Sequence, residues 1–546
     1  MEFEMIAKTF MGLENVLAQE LMDLGASNVQ IGRRMVSFMG DNEMMYRANF
    51  HLHTAIRILK PIKRFKAKSA DDVYEGIKSV DWTDYLGERQ TFAVDSVVYS
   101  EEFRNSRFVT YRVKDAIVDQ FMEKGLRRPN ISVANPDLRL NIHIAENNVT
   151  LSLDSSGESL HKRGYRQESV DAPLNEVLAA GMIMMTGWRG ETDFIDPMCG
   201  SGTILIEAAL IAMNMAPGVF RKEYAFEKWA DFDKDLFDKI YNDDSLEREF
   251  EHKIYGYDID IKAVNTAIIN IKAAGLSKNI EVSCADFKEF EKPEEPAIIV
   301  CNPPYGERIS TPNLLNTYRM IGERLKHQFQ GNDAWILSYR EECFEAIGLK
   351  PSLKVPLYNG SLECEFRKYS IFDGKFNDFR REGGEVKTDE ERQMMAEKHR
   401  FKENRDFKQR FDDDDARRRG NGRPYDARRR EEEDDEEDDI RSFHFHSLDR
   451  RKDEDRAARH GGHERKRFTR SDRDDDQRGG ERRGGYERKP YGKNERRAFD
   501  EERGEHHHGH HEHKSGYDRD RRSGRDDYDR RGGARDRRRM FSDEDE

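Results

Sequence analysis

The sequence predicts an α/β chain: a mostly parallel, seven-stranded sheet with helices on both faces, preceded by an α+β region and followed by a disordered, charged tail. Three observations carry this. From about Leu160 to Phe372 short apolar runs alternate with helical patterns, the grammar of a doubly wound, Rossmann-like sheet. Before that, strands of period-two alternation mix with helices. Beyond Asp378 charge displaces apolar side chains: residues 381–546 hold 47 Lys or Arg and 49 Asp or Glu, against 47 and 59 in residues 1–380. Such a segment buries too little to offset its chain entropy.

In the front region, Phe3 to Thr9 reads as a strand, Leu13 to Leu24 as a helix stopped by Gly25, Met35 to Met39 as a strand and Asn42 to about Ala55 as a helix. Residues 1–44 have ferredoxin-like character. A strand from Phe92 to Tyr99 and a helix from Arg107 to Glu123 follow. Two alternating runs then place Leu138, Leu140, Ile142 and Ile144 on one face, and Val149, Leu151 and Leu153 likewise, around a turn at Glu146-Asn147-Asn148. The seven strands of the second region are Asp193 to Pro197, Ile254 to Asp258, Ile280 to Ala285, Ala297 to Cys301, Ala334 to Ser338, Lys354 to Leu357 and Cys364 to Ile371. The stretch from Pro217 to Lys253 interrupts the first strand-helix-strand unit, either as a helical insertion over the site or as a surface elaboration.

Most of the net charge of −14 falls on the folded part, so an RNA contact has to come from local patches. Five cysteines without CxxC spacing read as reduced core residues, not disulfides or zinc ligands, and no metal site is expected. Met1 to Phe10 lacks a signal-peptide core, and no run of about 20 apolar residues exists to span a membrane. A cytoplasmic protein without membrane contact is expected; its oligomeric state is open.

Ligands of parallel sheets bind at the carboxyl ends of the strands. Those ends carry Asp196, Asp258, Asp286 and Asn302. Asp196-Pro197-Met198-Cys199-Gly200-Ser201-Gly202-Thr203 forms a Gly-x-Gly turn into a helix whose positive end suits a carboxylate. Asp258 suits a ribose diol and Asp286 an adenine amino group. A dinucleotide oxidoreductase fits less well, because Leu205 replaces the third glycine and the acid lies 56 positions after Gly202. A P-loop is excluded, since no Gly-Lys-Ser/Thr follows the turn. Across the same edge, Asn302-Pro303-Pro304-Tyr305 offers two fixed acceptors, the Asn302 side-chain oxygen and the Pro303 carbonyl, to orient a weakly nucleophilic base amine. Pro303 and Pro304 stiffen the loop, Tyr305 can stack on the base, and Arg308 can meet a phosphate or a guanine edge. Together the two motifs point to methyl transfer onto a nitrogen-bearing base.

With Leu160-His161-Lys162-Arg163-Gly164-Tyr165-Arg166, Ala172-Pro173-Leu174 and Asn302-Pro303-Pro304-Tyr305-Gly306-Glu307-Arg308, residues 1–372 resemble THUMP-bearing class I S-adenosylmethionine-dependent RNA methyltransferases, specifically the RlmL-like 23S rRNA guanine-N2 enzymes. The resemblance implies S-adenosylmethionine as cofactor, a THUMP module over residues 45–155 and a methyltransferase domain over 160–372. It places Leu174, Asn175 and Phe287 beside the cofactor and Asn302 to Tyr305 on a target guanine. It also implies RNA as partner, 23S rRNA or a large-subunit assembly intermediate. Related tRNA guanine-N2 and adenine-N6 methyltransferases share the motifs, and a ribosome-assembly factor is the non-enzymatic alternative. Some members of the family continue into a second methyltransferase domain; here residues 378–546 form the charged tail, so one activity is expected. Arg482-Arg483-Gly484-Gly485-Tyr486 and similar pieces read either as weak RNA contacts or as a solvating polyampholyte. The run from His506 to His511 offers adventitious binding of a divalent metal, and no catalytic role follows from it.

Overall fold

The computed structural model describes residues 2–372, except 104, 171, 172, 292, 294 and 306–310. Arg308 and the tail of residues 378–546 lie outside the described residues.

The front region is one eight-stranded sheet in the order β2-β3-β1-β4-β8-β7-β5-β6. Its strands are β1 (Phe3–Lys8), β2 (Ser27–Gly32), β3 (Met35–Gly40), β4 (Arg57–Lys66), β5 (Thr91–Tyr99), β6 (Asn130–Ile131), β7 (Leu138–Ala145) and β8 (Asn148–Asp154). Helices α1 (Glu14–Asp23), α2 (Asn42–His51), α3 (Ala70–Lys78) and α4 (Ser106–Glu123) accompany them. The β7–β8 hairpin closes where the sequence places its turn, with Glu146 in the left-handed region at φ 53°. Antiparallel pairing of β1 with both β3 and β4 joins the first residues to everything that follows in one sheet. Helix starts are fixed locally: Asp41 caps α2 at Met44 N–H, and Ser69 with Asp72 forms a capping box on α3.

The second sheet runs β11-β10-β9-β12-β13-β15-β14. It comprises β9 (Asp193–Asp196), β10 (Ile254–Asp258), β11 (Ile280–Cys284), β12 (Ala297–Cys301), β13 (Asp333–Ser338), β14 (Leu353–Asn359) and β15 (Leu362–Ser370). β15 is antiparallel to both neighbours, while β9 to β13 are parallel, as the sequence predicts. Helices α5 (Glu176–Met185), α6 (Thr203–Ala212) and α8 (Ile261–Ala273) share one apolar layer with Phe194, Ile254 and Trp335. On the other face α9 (Thr311–Gln328) and α10 (Glu341–Ile347) share a second layer with Ile195, Ile299 and Ile336. Strand order reverses between β9 and β12, which puts the switch point beside Asp196 and Asn302.

The Pro217 to Lys253 stretch does not bear out the reading of an insertion over the site and leaves that of an elaboration with no role in chemistry standing. It contains short 3-10 turns at Pro217–Phe220 and Ala225–Lys228 and the helix α7 (Lys234–Tyr241). Most of its apolar side chains join the core of the front region, while Phe220 and Phe250 pack against that of the second sheet. Phe226 stacks on Tyr46 of α2 with centroids 4.5 Å apart, and Phe237 meets the same ring edge-on at 5.9 Å. Asp233 N–H donates to Tyr46 Oη at 3.1 Å. The physical reason is the apolar face of α7, where Phe237 and Ile240 find their cover on α2.

Candidate active site

The Gly200 to Thr203 loop leaves β9 and enters α6 through two left-handed glycines, Gly200 at φ 54° and Gly202 at φ 81°. Gly202 is the N-cap, so α6 turns unpaired N–H groups and its positive end toward the carboxyl edge of the sheet. A Cβ added at Gly200 would meet nothing within 4 Å, so the backbone there faces open space. Asp258, the last residue of β10, fixes the loop: its Oδ2 accepts from Gly200 N–H at 3.0 Å and its Oδ1 from Asp260 N–H at 3.0 Å. Cys199 N–H donates to the Tyr257 carbonyl at 2.8 Å, and Ala285 N–H to the Asp258 carbonyl at 3.1 Å. These bonds hold the ends of β9, β10 and β11 side by side.

Asp196 is 1% exposed, and its Oδ1 accepts from Met198 N–H at 3.2 Å. Burial, reinforced by the nearby Asp258 carboxylate, pushes its pKa up to about 8 against that one hydrogen bond. Pro197, Ser201 and Thr203 are buried around it. Asp286, two residues past β11, accepts from Lys288 N–H at 3.0 Å and lies 3.5 Å from Lys288 Nζ. Phe287 is 2% exposed, and its ring packs against Phe290 and Phe329. Leu174 and Asn175 precede α5, and the Asn175 side chain caps that helix at Val177 N–H, 2.9 Å away. Burial pushes the Cys199 and Cys301 thiols well above their ordinary value, so neither is a thiolate nucleophile.

At the end of β12, Asn302 Oδ1 is buried without a hydrogen-bond partner among the described residues. Native interiors rarely leave such an acceptor, because stranding it costs about 1–3 kcal/mol. Pro303 is buried, Pro304 exposed and Tyr305 half-buried. Tyr305 meets Tyr339, the residue after β13, edge-to-face at 5.5 Å, and its hydroxyl accepts from Asn359 Nδ2 at the end of β14. The carboxyl edge thus presents an open backbone cradle with carboxylates on adjacent strand ends, beside an unpaired acceptor and an aromatic pair. That arrangement fits an adenosyl amino-acid donor beside a base.

Three family models match successive parts of the chain: an RlmL ferredoxin-like domain over residues 4–59, a THUMP domain over 67–154 and an RMKL-like methyltransferase domain over 163–368. A Synechocystis sp. protein described as putative RNA methyltransferase slr0064 is 38% identical over 364 residues, spanning 66% of this chain and 95% of its own length. The chain belongs to the THUMP-bearing, RlmL-like RNA methyltransferases. The ribosomal RNA large subunit methyltransferase K/L of Photobacterium profundum is 37% identical over 72% of this chain. The chain spans about half the length of such K/L relatives, 56% for that one. Among solved structures, SMU.472, a putative methyltransferase complexed with SAH, superposes with a TM-score of 0.63 at 29% identity, covering 68% of this chain and 99% of its own. A predicted N6-adenine-specific DNA methylase from Listeria monocytogenes gives a TM-score of 0.62 at 32% identity, covering 68% and 97%. The methyl donor of this RlmL-like methyltransferase is S-adenosylmethionine.

Sequence reasoning missed several residues that this methyltransferase gathers at the same edge. Tyr339 and Asn359 follow or end strands whose last residues were not read for side chains meeting Tyr305. Arg166 lies against Ser201 and Thr203, and Asn270, fully buried on α8, donates to the Ser201 carbonyl at 3.1 Å. The available signal was weak: a buried asparagine on an apolar helix face, and an arginine beside a tyrosine in a linker.

Proposed function

We propose that the chain transfers a methyl group from S-adenosylmethionine to the exocyclic N2 amine of a guanine in RNA, with 23S rRNA, free or in a large-subunit assembly intermediate, as the target. The observation that carries this is Asn302 Oδ1, buried at the end of β12 and unpartnered among the described residues. An acceptor kept dry and unpaired is matched to a donor that arrives with the substrate. When bound, S-adenosylmethionine supplies a methyl group made electrophilic by a positively charged sulfur. The chain's residues do the rest. Asn302 Oδ1 and the Pro303 carbonyl accept the two amine hydrogens and favour the pyramidal nitrogen, whose lone pair is otherwise delocalised into the ring. Tyr305, braced by Tyr339 and Asn359, offers its face to the flipped base. Gly200 to Thr203, Asp258 and Asp286 hold the donor, with Leu174 and Asn175 at its flank. Residues 45–155 act as the RNA-presenting module and residues 160–372 as the methyltransferase domain. The name of the K/L relatives supports the ribosomal target.

The test is to incubate the full chain with labelled donor and 23S rRNA and identify the product nucleoside by mass spectrometry. N2-methylguanosine is expected, and Asn302→Ala is expected to lower kcat about a hundredfold or more. The variant should fold at least as stably as wild type, because it removes an unpaired buried acceptor. Equal rates for Asn302→Ala and wild type would refute the assignment. A second reading, adenine-N6 transfer, is favoured by the Asn-Pro-Pro-Tyr sequence and the description of the Listeria relative. N6-methyladenosine as the product would establish it instead.

A further inference from the structure

We infer that Arg166 is a positioning residue for the methyl-donor loop, acting through Ser201 and Thr203; the inference rests on the reading of Gly200 to Thr203 as that loop. Its guanidinium spans two elements. Nε donates to Glu176 Oε1 at 2.8 Å, and Nη2 donates to the Leu174 carbonyl at 3.3 Å, both at the entry to α5. Nη1 donates to Ser201 Oγ at 3.0 Å, and Nη2 also donates to Thr203 Oγ1 at 2.9 Å, on either side of Gly202. One planar group therefore sets the spacing between the residues that flank the donor site and the loop that floors it. A rigid fork does this where a flexible ammonium cannot.

The anchor is itself held. The next two residues, Gln167 and Glu168, donate backbone N–H groups to Asn270 Oδ1 at 2.8 and 3.1 Å. Asn270 Nδ2 donates back to the carbonyls of Glu168 at 3.0 Å and Ser201 at 3.1 Å. On the other side, Tyr165 Oη donates to Glu207 Oε1 at 2.9 Å, one turn into α6. Arg166 is thus pinned to the same helix whose first turn it steers.

Helix stability alone does not favour an arginine here. A cation beside the starts of α5 and α6 opposes both helix dipoles, and Glu176 is the carboxylate that answers it. What the position gains is a loop whose two hydroxyls are committed to Arg166, while Asp258 holds its Gly200 N–H and the Cys199 carbonyl its Gly202 N–H. It also adds positive potential where the carboxylate of an amino-acid donor binds.

The test measures binding of S-adenosylhomocysteine by calorimetry and steady-state KM values for donor and RNA on the full chain. Arg166→Ala is expected to weaken binding about tenfold to a hundredfold and to raise the donor KM with the RNA KM unchanged. Arg166→Lys should recover part of the loss. A Ser201→Ala/Thr203→Val variant should weaken binding in the wild-type background and add nothing in the Arg166→Ala background. The inference is overturned if Arg166→Ala lowers the melting midpoint yet binds like wild type while folded, or if the losses are additive. Asp258→Asn separates the two readings: if it weakens binding while Arg166→Ala does not, only this inference fails. If neither weakens binding, the donor-loop reading fails with it.

Discussion

Replacing Asp196 by asparagine removes a titration that the fold has displaced. Burial holds the carboxyl at a pKa of about 8, above the ordinary 3.8 expected in the unfolded chain. The folded state therefore binds a proton that the unfolded state releases, and stability contributed by this group is complete below pH 4 and lost as pH rises through 8. At about 1.4 kcal/mol per unit, the displacement corresponds to a loss of the order of 5 kcal/mol across that window. The substituted amide can keep the 3.2 Å hydrogen bond from Met198 N–H through its own Oδ1, so the loop geometry should survive. Urea unfolding of wild type and Asp196→Asn from pH 5 to pH 9 should diverge, the variant becoming progressively the more stable. Donor binding reverses the preference, because a cationic ligand at the carboxyl edge favours the ionised carboxyl. Calorimetry in two buffers of different ionisation enthalpy should then show proton release near pH 7 for wild type and none from this position in the variant, which should bind more weakly. Parallel pH–stability curves together with equal proton release would refute the reasoning.

Two other substitutions test the junction between the front region and the second sheet. Arg163→Met removes the cation that faces Glu207, fully buried on α6, at 3.4 Å and leaves it only Tyr165 Oη and the more distant His53; breaking such a pair is expected to cost about 3–5 kcal/mol, read as a lowered urea midpoint. Phe237→Ala empties the aromatic cluster of Tyr46, Phe50 and Phe226 and is expected to cost about 3–5 kcal/mol, with the donor KM unchanged at temperatures where the variant is folded. A changed donor KM at unaltered stability would instead place the 217–253 insertion in the site.

Legibility in the sequence followed the range of the interaction. The strand ends Asp196, Asp258 and Asn302 were readable because each follows a short apolar run, and the run itself fixes where the strand stops. β4 escaped notice because Lys60, Lys63, Arg64 and Lys66 interrupt its alternation; the pairing with β1 and β8 that holds it is not visible locally. The packing of the insertion was illegible for the same reason, since the partner of Asp233 and Phe226, Tyr46, lies nearly two hundred residues earlier. Arg166 closes the Leu160 to Arg166 motif that carries the family resemblance, but its role was illegible because its hydroxyl partners stand 35 and 37 positions away.

Buried polar groups at the junction and at the carboxyl edge are met in different ways. At the junction Arg221, buried, donates to the carbonyls of Ser159, Lys162 and Glu158, and Arg57 pairs with buried Asp154. Glu207 shows the same economy: burial pushes its carboxyl up, but Arg163 and then His53 more than reverse that, and it stays ionised. These groups find carbonyl or charged partners within the chain, although Arg221 Nε is itself buried without one among the described residues. The carboxyl edge of the second sheet carries deficits of its own. There burial raises the pKa of Asp196 to about 8, and Asn302 Oδ1 has no hydrogen-bond donor among the described residues. Both lie at the edge where the backbone is open at Gly200. In the proposed function the methyl donor supplies the positive charge and a base amine the N–H groups, so that reading gives each deficit a partner that arrives with a ligand.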